Sequence, residues 1–270
     1  MVGTVAVVTG IAGPIGQAVA RRLAGESRCI LFSDANAQAA RPVLAEVERI
    51  RALHGLEAEP VFVEADAATD AGARLIIRTA LSTFGRVDAV VVNGEVTVRN
   101  GAGDGALSVD LASFVPAVRM AGAALERQPE GNVVLTALLR GAWPGRLGEA
   151  ACKVAVSSFG AFVHAAATAL HDRGVTLNGV AMEDPARADH TLDMAALGSA
   201  AAVRVDRQRR SHQLYDAAYT TRFLASSEAR GVTGQVLLLS GGGTATPPYT
   251  RPAESAAYSD LFRHIERLPA

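Results

Sequence analysis

The chain has 270 residues, 49% of them hydrophobic and 20% charged, with a formal net charge of -1. That balance offers neither nucleic acid nor an anionic membrane an electrostatic footing, and no apolar run reads as long enough to span a bilayer. Two cysteines, Cys29 and Cys152, set up no disulfide framework, six histidines are scattered without metal-ligand spacing, and no basic-then-apolar leader opens the chain, so a cytoplasmic protein without a metal is expected.

Val5-Ala6-Val7-Val8 reads as a buried strand, Thr9-Gly10-Ile11-Ala12-Gly13-Pro14-Ile15-Gly16 as a glycine-rich turn, and Ile15, Val19 and Leu23 recur at helical spacing. A helix that opens at such a turn aims free N–H groups and the positive end of its dipole at one point, where a pyrophosphate can sit. Gly10, Gly13, Ile15 and Gly16 are therefore the candidate phosphate cradle, with an ordinary strand-to-helix turn as the alternative. Pro14 suits the first position of a helix capped by Gly13, but its ring and missing N–H weaken the cradle.

Cys29-Ile30-Leu31-Phe32-Ser33 is a second strand ending at Asp34. An acid at that point accepts hydrogen bonds from an adenosine ribose and repels a 2′-phosphate, so NAD is preferred over NADP; a turn or helix-capping aspartate is the other reading. A helix over 37–53 carries the stripe Val43, Val47, Ile50, and a third strand runs from Pro60 to Asp66. A helix then spans 71–84, and a fourth strand, β-branched and fully buried, runs from Val87 to Val92. This regular alternation without a linker predicts a single α/β domain, a doubly wound parallel sheet.

Several landmarks now stand in order. They are Thr9-Gly10 to Gly16, Asp66 after the third strand, Phe84-Gly85-Arg86-Val87-Asp88 leading into a strand that ends at Asn93, and Val232-Thr233-Gly234-Gln235-Val236 followed by Gly241-Gly242. Over residues 4 to 243 the chain resembles the short-chain dehydrogenase/reductase family. The resemblance implies a Rossmann-type domain over 1–243 with about seven parallel strands, a variable lid at about 185–213 and usually a dimer or tetramer. It also implies an NAD(P) cleft lined by Gly10, Gly13, Ile15, Gly16, Asp34, Asp66, Asn93 and Lys153.

The chemistry departs from the family. There, a tyrosine four residues before a lysine moves the substrate's proton, a serine orients the carbonyl and an asparagine supports a water relay. Lys153 matches the lysine, and it is the only lysine among 26 basic residues. Glu149 stands four residues before it, and none of Tyr215, Tyr219, Tyr249 and Tyr258 has a lysine four residues on. Asp110 in Val109-Asp110-Leu111 replaces the asparagine; for the serine, spacing points to Thr136 and alignment to Leu138. Glu95 and Glu183 stand at positions where the family has small residues beside the cofactor.

A glutamate is ionised at neutral pH and has no proton to give a developing alkoxide. It serves either as a general base or, with Lys153, as a helical ion pair of a few tenths of a kcal/mol. The helix from Glu149 to Leu170 has apolar residues nearly all round, which predicts burial on all sides and packing against a neighbouring subunit. Arg204, Arg207, Arg209 and Arg210 in the lid present either a solvated face or a cradle for an acidic group such as the phosphates of a coenzyme A thioester. The tail, 244–270, carries an apolar helical stripe of Tyr258, Leu261, Phe262, Ile265 and Leu268.

The function these residues suggest is a non-catalytic subunit of an NAD-dependent, hydroxyacyl-type dehydrogenase, in a homo-oligomer or a hetero-oligomer with an active paralogue. The alternative is an active oxidoreductase, or a redox-neutral acid-base enzyme using Glu149 and Lys153 on a small-molecule substrate, with Asp110 and Thr136 as further catalytic candidates.

Overall fold

The computed structural model describes residues 4–26, 28–56, 58–100, 107–125, 131–141, 146–183 and 199–239. The strands are β1 (Val5–Thr9), β2 (Cys29–Asp34), β3 (Val61–Glu64), β4 (Ala89–Asn100), β5 (Leu107–Asp110), β6 (Gly131–Gly141), β7 (Val175–Glu183) and β8 (Val236–Leu239). The helices are α1 (Pro14–Ala24), α2 (Ala37–Leu53), α3 (Asp70–Phe84), α4 (Val115–Leu125), α5 (Arg146–His171) and α6 (Ser199–Leu224). One sheet runs in the order β3-β2-β1-β4-β6-β7-β8, its neighbours all parallel, and β5 pairs antiparallel with the far end of β4.

Both faces of the sheet are covered, as the continuous apolar strands require. Ala6, Val8, Phe32, Val91, Val134 and Val180 pack under α1, α2 and α6, while Val7, Leu31, Val90, Val133 and Leu177 pack under α3, α4 and α5. Local chemistry marks the helix ends. The Asn36 side chain accepts from the Ala39 N–H at the start of α2, Thr69 Oγ1 from the Gly72 N–H at the start of α3, and Gly85 closes α3 in the left-handed conformation at φ 75°.

Three differences from the sequence-based expectations bear on the site. First, β4 does not stop near Asn93: it runs to Asn100, because Val96 and Val98 alternate inward against Glu95, Thr97 and Arg99, and β6 and β5 pair with it along that length. The strand β5 was not expected at all. Second, α5 is not buried on all sides within the chain. Ala151, Ala155, Phe159, Val163, Ala167 and Leu170 face the sheet, whereas Val154, Ala161, Ala165 and Ala169 are exposed. Over Ala151–His171 this helix is, by length and composition, apolar enough to cross a bilayer, contrary to the expectation that no run would be; its inner stripe is part of the core. Third, the second half of the expected lid is helical, since α6 opens at Ser199. Residues 184–198, the side chains of Arg204, Arg207, Arg209 and Arg210, and the tail from 244 lie outside the described residues.

Candidate active site

The strand order reverses between β1 and β4, and a parallel sheet opens its ligand crevice at such a point, beyond the carboxyl ends of the strands. There β1 ends and the glycine loop begins. Gly10 sits at φ 65°, and a Cβ on it would lie 2.5 Å from the Asn93 carbonyl oxygen. Gly16 packs closer still, its virtual Cβ 2.0 Å from the Gly10 oxygen. Gly13 is different: its Cβ would meet only the Gly10 oxygen at 3.7 Å, so this glycine leaves room beside the start of α1. Pro14 opens α1 as expected of a helix whose first N–H is spare, and Ile15 is buried behind it.

Asp34 ties the second strand to this loop. Its Oδ2 accepts from the Ala12 N–H at 2.8 Å and its Oδ1 from the Asn36 N–H at 2.9 Å, with the residue 9% exposed. The aspartate therefore braces a turn and borders the crevice at once, and each carboxylate oxygen keeps a lone pair for a ribose hydroxyl. Asp66, exposed beyond β3, accepts from the Ala68 N–H at 2.9 Å and anchors the turn into α3.

Asn93 and Thr136 meet in the middle of the sheet. Asn93 Nδ2 donates to the Thr9 carbonyl at 2.6 Å, and Thr136 Oγ1 donates to Asn93 Oδ1 at 2.6 Å. Thr136 is 0% exposed, sealed on the face under α1 and α6. Leu138, the other candidate for the serine position, is buried and apolar.

The remaining candidates are spread apart. Lys153 is half-buried on α5; Glu149 lies one turn earlier on the same helix, its side chain outside the described residues. Asp110 ends β5, accepts from the Ala112 N–H at 3.1 Å and pairs with Arg99 at 3.5 Å across the hairpin. Glu95 reaches Arg140 at 2.9 Å, and Cys152 Sγ donates to Glu183 Oε1 at 3.0 Å. The roles of Cys152 and Arg140 had no sequence signal. Phe114 was also missed: its buried ring fills the space above Gly94, where a Cβ would come within 2.8 Å of it.

A dinucleotide fits this crevice at one end. Toward β1, β2 and β3 the strands stop nearly in step, with Thr9 beside Ser33 and Asp34 beside Glu64, leaving the glycine loop, Asp34 and Asp66 around an open edge. Toward β4, β6 and β7 the rungs continue without a break: Asn93, Thr136 and Val180 pair in one row, Gly94, Ala137 and Ala181 in the next, then Glu95, Leu138 and Met182. Of the positions that the family resemblance assigns to the nicotinamide end, Ala181 and Met182 are buried in the two cores, Asn93 and Glu183 are half-buried, and Glu95 is exposed.

A family model described as enoyl-(acyl carrier protein) reductase matches residues 10–244. The chain is 27% identical over 256 residues to the 3-oxoacyl-(acyl-carrier-protein) reductase of Staphylococcus epidermidis, covering 88% of this chain and 97% of that protein. It is 37% identical over 89 residues to the 1,6-dihydroxycyclohexa-2,4-diene-1-carboxylate dehydrogenase of Acinetobacter baylyi, a match spanning 33% of this chain and 31% of that protein. Among solved structures, a short-chain type dehydrogenase/reductase from Mycobacterium marinum superposes with a TM-score of 0.66 at 17% identity, over 91% of this chain and 96% of the other. A hydroxysteroid dehydrogenase from Escherichia coli gives 0.63 at 20% identity, over 89% and 96%.

Proposed function

The chain belongs to the short-chain dehydrogenase/reductase superfamily, and from that premise we propose that it is a subunit that does not itself transfer hydride, assembled with an active paralogue into a cytoplasmic dehydrogenase. The observation that carries this reading is the commitment of Thr136. The hydroxyl that spacing assigns to orienting a carbonyl is fully buried and given to Asn93, while the tyrosine's place is taken by Glu149. A carbonyl placed as in the family would lack both the tyrosine and the serine hydroxyl, and general acid-base help contributes about 10²–10⁴-fold.

The exposed apolar face of α5 supports an assembly, because Val154, Ala161, Ala165 and Ala169 gain from being covered. In the assembly NAD serves the active partner; the carboxylate of Asp34 disfavours a 2′-phosphate on this chain as well. A hydroxyacyl thioester is the substrate class to try first, given the 3-oxoacyl reductase among the relatives.

The test is to purify the chain alone and co-expressed with a neighbouring-gene relative of the same fold, and to follow NADH oxidation with acetoacetyl-CoA. The chain alone is expected to be silent, and the co-purified assembly active. Brisk turnover by the chain alone overturns the reading; if Glu149→Gln then abolishes that turnover without lowering thermal stability, Glu149 is an acid-base group.

A further inference from the structure

Four tyrosines occur in the chain, and two of them, Tyr215 and Tyr219, stand one turn apart on α6. Residues four apart share a face of a helix, and here the two rings stack, their centroids 4.2 Å apart with 31° between the planes. The phenol groups are hydrogen-bonded to each other, so the oxygen-bearing edges of the rings converge as well as their faces. Neither ring belongs to the core. Tyr215 is 58% exposed and Tyr219 42%, whereas Ala217, Ala218 and Leu224 of the same helix are buried against the sheet. Arg22 of α1 lies over the Tyr219 ring, 4.6 Å from its centre, and holds the stack from outside the helix.

We propose that Tyr215 and Tyr219 form an oxidative modification site, at which a one-electron oxidant of the peroxidase class, fed by hydrogen peroxide, joins the two rings into a dityrosine cross-link within α6. Each phenol gives up one electron and its O–H proton, leaving a radical shared between the oxygen and the ring carbons beside the C–O bond. The two radicals pair, and a C–C bond forms between one such carbon on each ring. The hydrogen on each newly bonded carbon then moves to its oxygen, and both phenols are restored. The chain has lost two hydrogen atoms, and one peroxide molecule has become two of water.

Three features favour this product over the other fates of an oxidised tyrosine. Exposure lets an electron and a proton leave both rings. Contact replaces an encounter between molecules with a step inside one, and even a flexible tether sets an effective concentration on the order of millimolar, far above that of a dilute protein. The guanidinium over Tyr219 opposes a positive charge on that ring, so its oxidation is coupled to loss of the phenolic proton and ends in the neutral radical that couples. The cross-link then staples one turn of α6, the helix into which the second half of the expected lid folds. This goes beyond the silent-subunit reading and uses no group of the crevice.

The experiment treats the full-length chain, at micromolar concentration, with hydrogen peroxide and a haem peroxidase, and follows dityrosine by its fluorescence and by mass spectrometry of the intact chain and its peptides. The expected product is a single chain lighter by two hydrogen atoms, with the new bond mapped to Tyr215 and Tyr219. Tyr215→Phe and Tyr219→Phe, each checked by a thermal melt for an intact fold, are expected to lower the intrachain product about tenfold or more, and Tyr249→Phe and Tyr258→Phe to leave it unchanged. No dityrosine, cross-links between chains alone, or an intrachain product that survives Tyr219→Phe overturns the proposal. None of these outcomes involves turnover, so the silent-subunit reading stands or falls separately.

Discussion

Asn93 on β4 donates its side-chain N–H to the backbone carbonyl of Thr9 on β1 at 2.6 Å, and so pins the point at which the two halves of the sheet part company. Its other amide atom accepts from Thr136, so one side chain bridges three neighbouring strands. In the family such an asparagine belongs to a turn beside the cofactor; here it is a rivet in the sheet. Thr136→Val keeps the shape but leaves Asn93 Oδ1 without its donor. The expected loss is about 1–2 kcal/mol, or a fall in Tm of about 2–6 °C in a thermal melt, with no effect on any activity of the assembly.

The glycine loop separates structural from ligand-facing positions. Gly10→Ala forces a left-handed residue and sets a Cβ 2.5 Å from the Asn93 oxygen, so a loss of at least about 2 kcal/mol is expected in urea denaturation. Gly13→Ala, in an extended conformation with open space, is expected to cost less than about 1 kcal/mol. Equal sensitivity of the two sites would contradict the packing described.

Arg51 is a charged residue used as mortar. It is 3% exposed and donates to the carbonyls of Ala58, Ala24 and Glu26, closing the end of α2 onto the turn after α1, and burial lowers its pKa from the ordinary guanidinium value. Arg51→Met preserves much of the stem but orphans those oxygens. A loss of about 2–4 kcal/mol is expected, read as a lower midpoint at an unchanged denaturant slope.

On α6, Tyr215 and Tyr219 stack with ring centroids 4.2 Å apart, and the guanidinium of Arg22 lies 4.6 Å from the Tyr219 ring. The hydrogen bond between the phenols, and the burial it brings, push the Tyr215 pKa above the ordinary phenol value. A proton held more tightly in the folded state stabilises the fold fully below the unfolded value of about 10, and that contribution is lost as pH rises through the higher folded value. Absorbance titration is expected to show one tyrosine ionising late, and Tyr219→Phe to bring it back toward the ordinary range.

Restoring the missing phenol should not restore the enzyme. Glu149→Tyr places a tyrosine four residues before Lys153, yet Thr136, at the serine's position, stays buried and bonded to Asn93. No NADH-linked turnover is expected from this variant alone. Measurable hydride transfer by it would show that the missing phenol alone had silenced the chain.

Much of this was legible from residue order. The strand, glycine turn and helix over the first 24 residues follow from apolar periodicity and from backbone positions that only glycine fills. The extension of β4 was also written in the chain, as Val96 and Val98 alternating with Glu95, Thr97 and Arg99, but the familiar Asn93 turn masked it. The fate of Thr136 was not legible, because which face of β6 a residue occupies depends on a register set by β4 and β7. Nor was the Cys152 to Glu183 contact, which joins α5 to the end of β7 across 31 residues.

The extension of β4 along β6 also has a kinetic signature. Asn93 and Thr136, its first rung, are 43 residues apart in sequence, so each parallel rung waits for a long loop to close before it returns any energy. Non-local pairing of this kind slows folding. The added rungs lengthen the late-zipping part of the chain, so the segment that reshapes the crevice is also the one through which refolding is slowest.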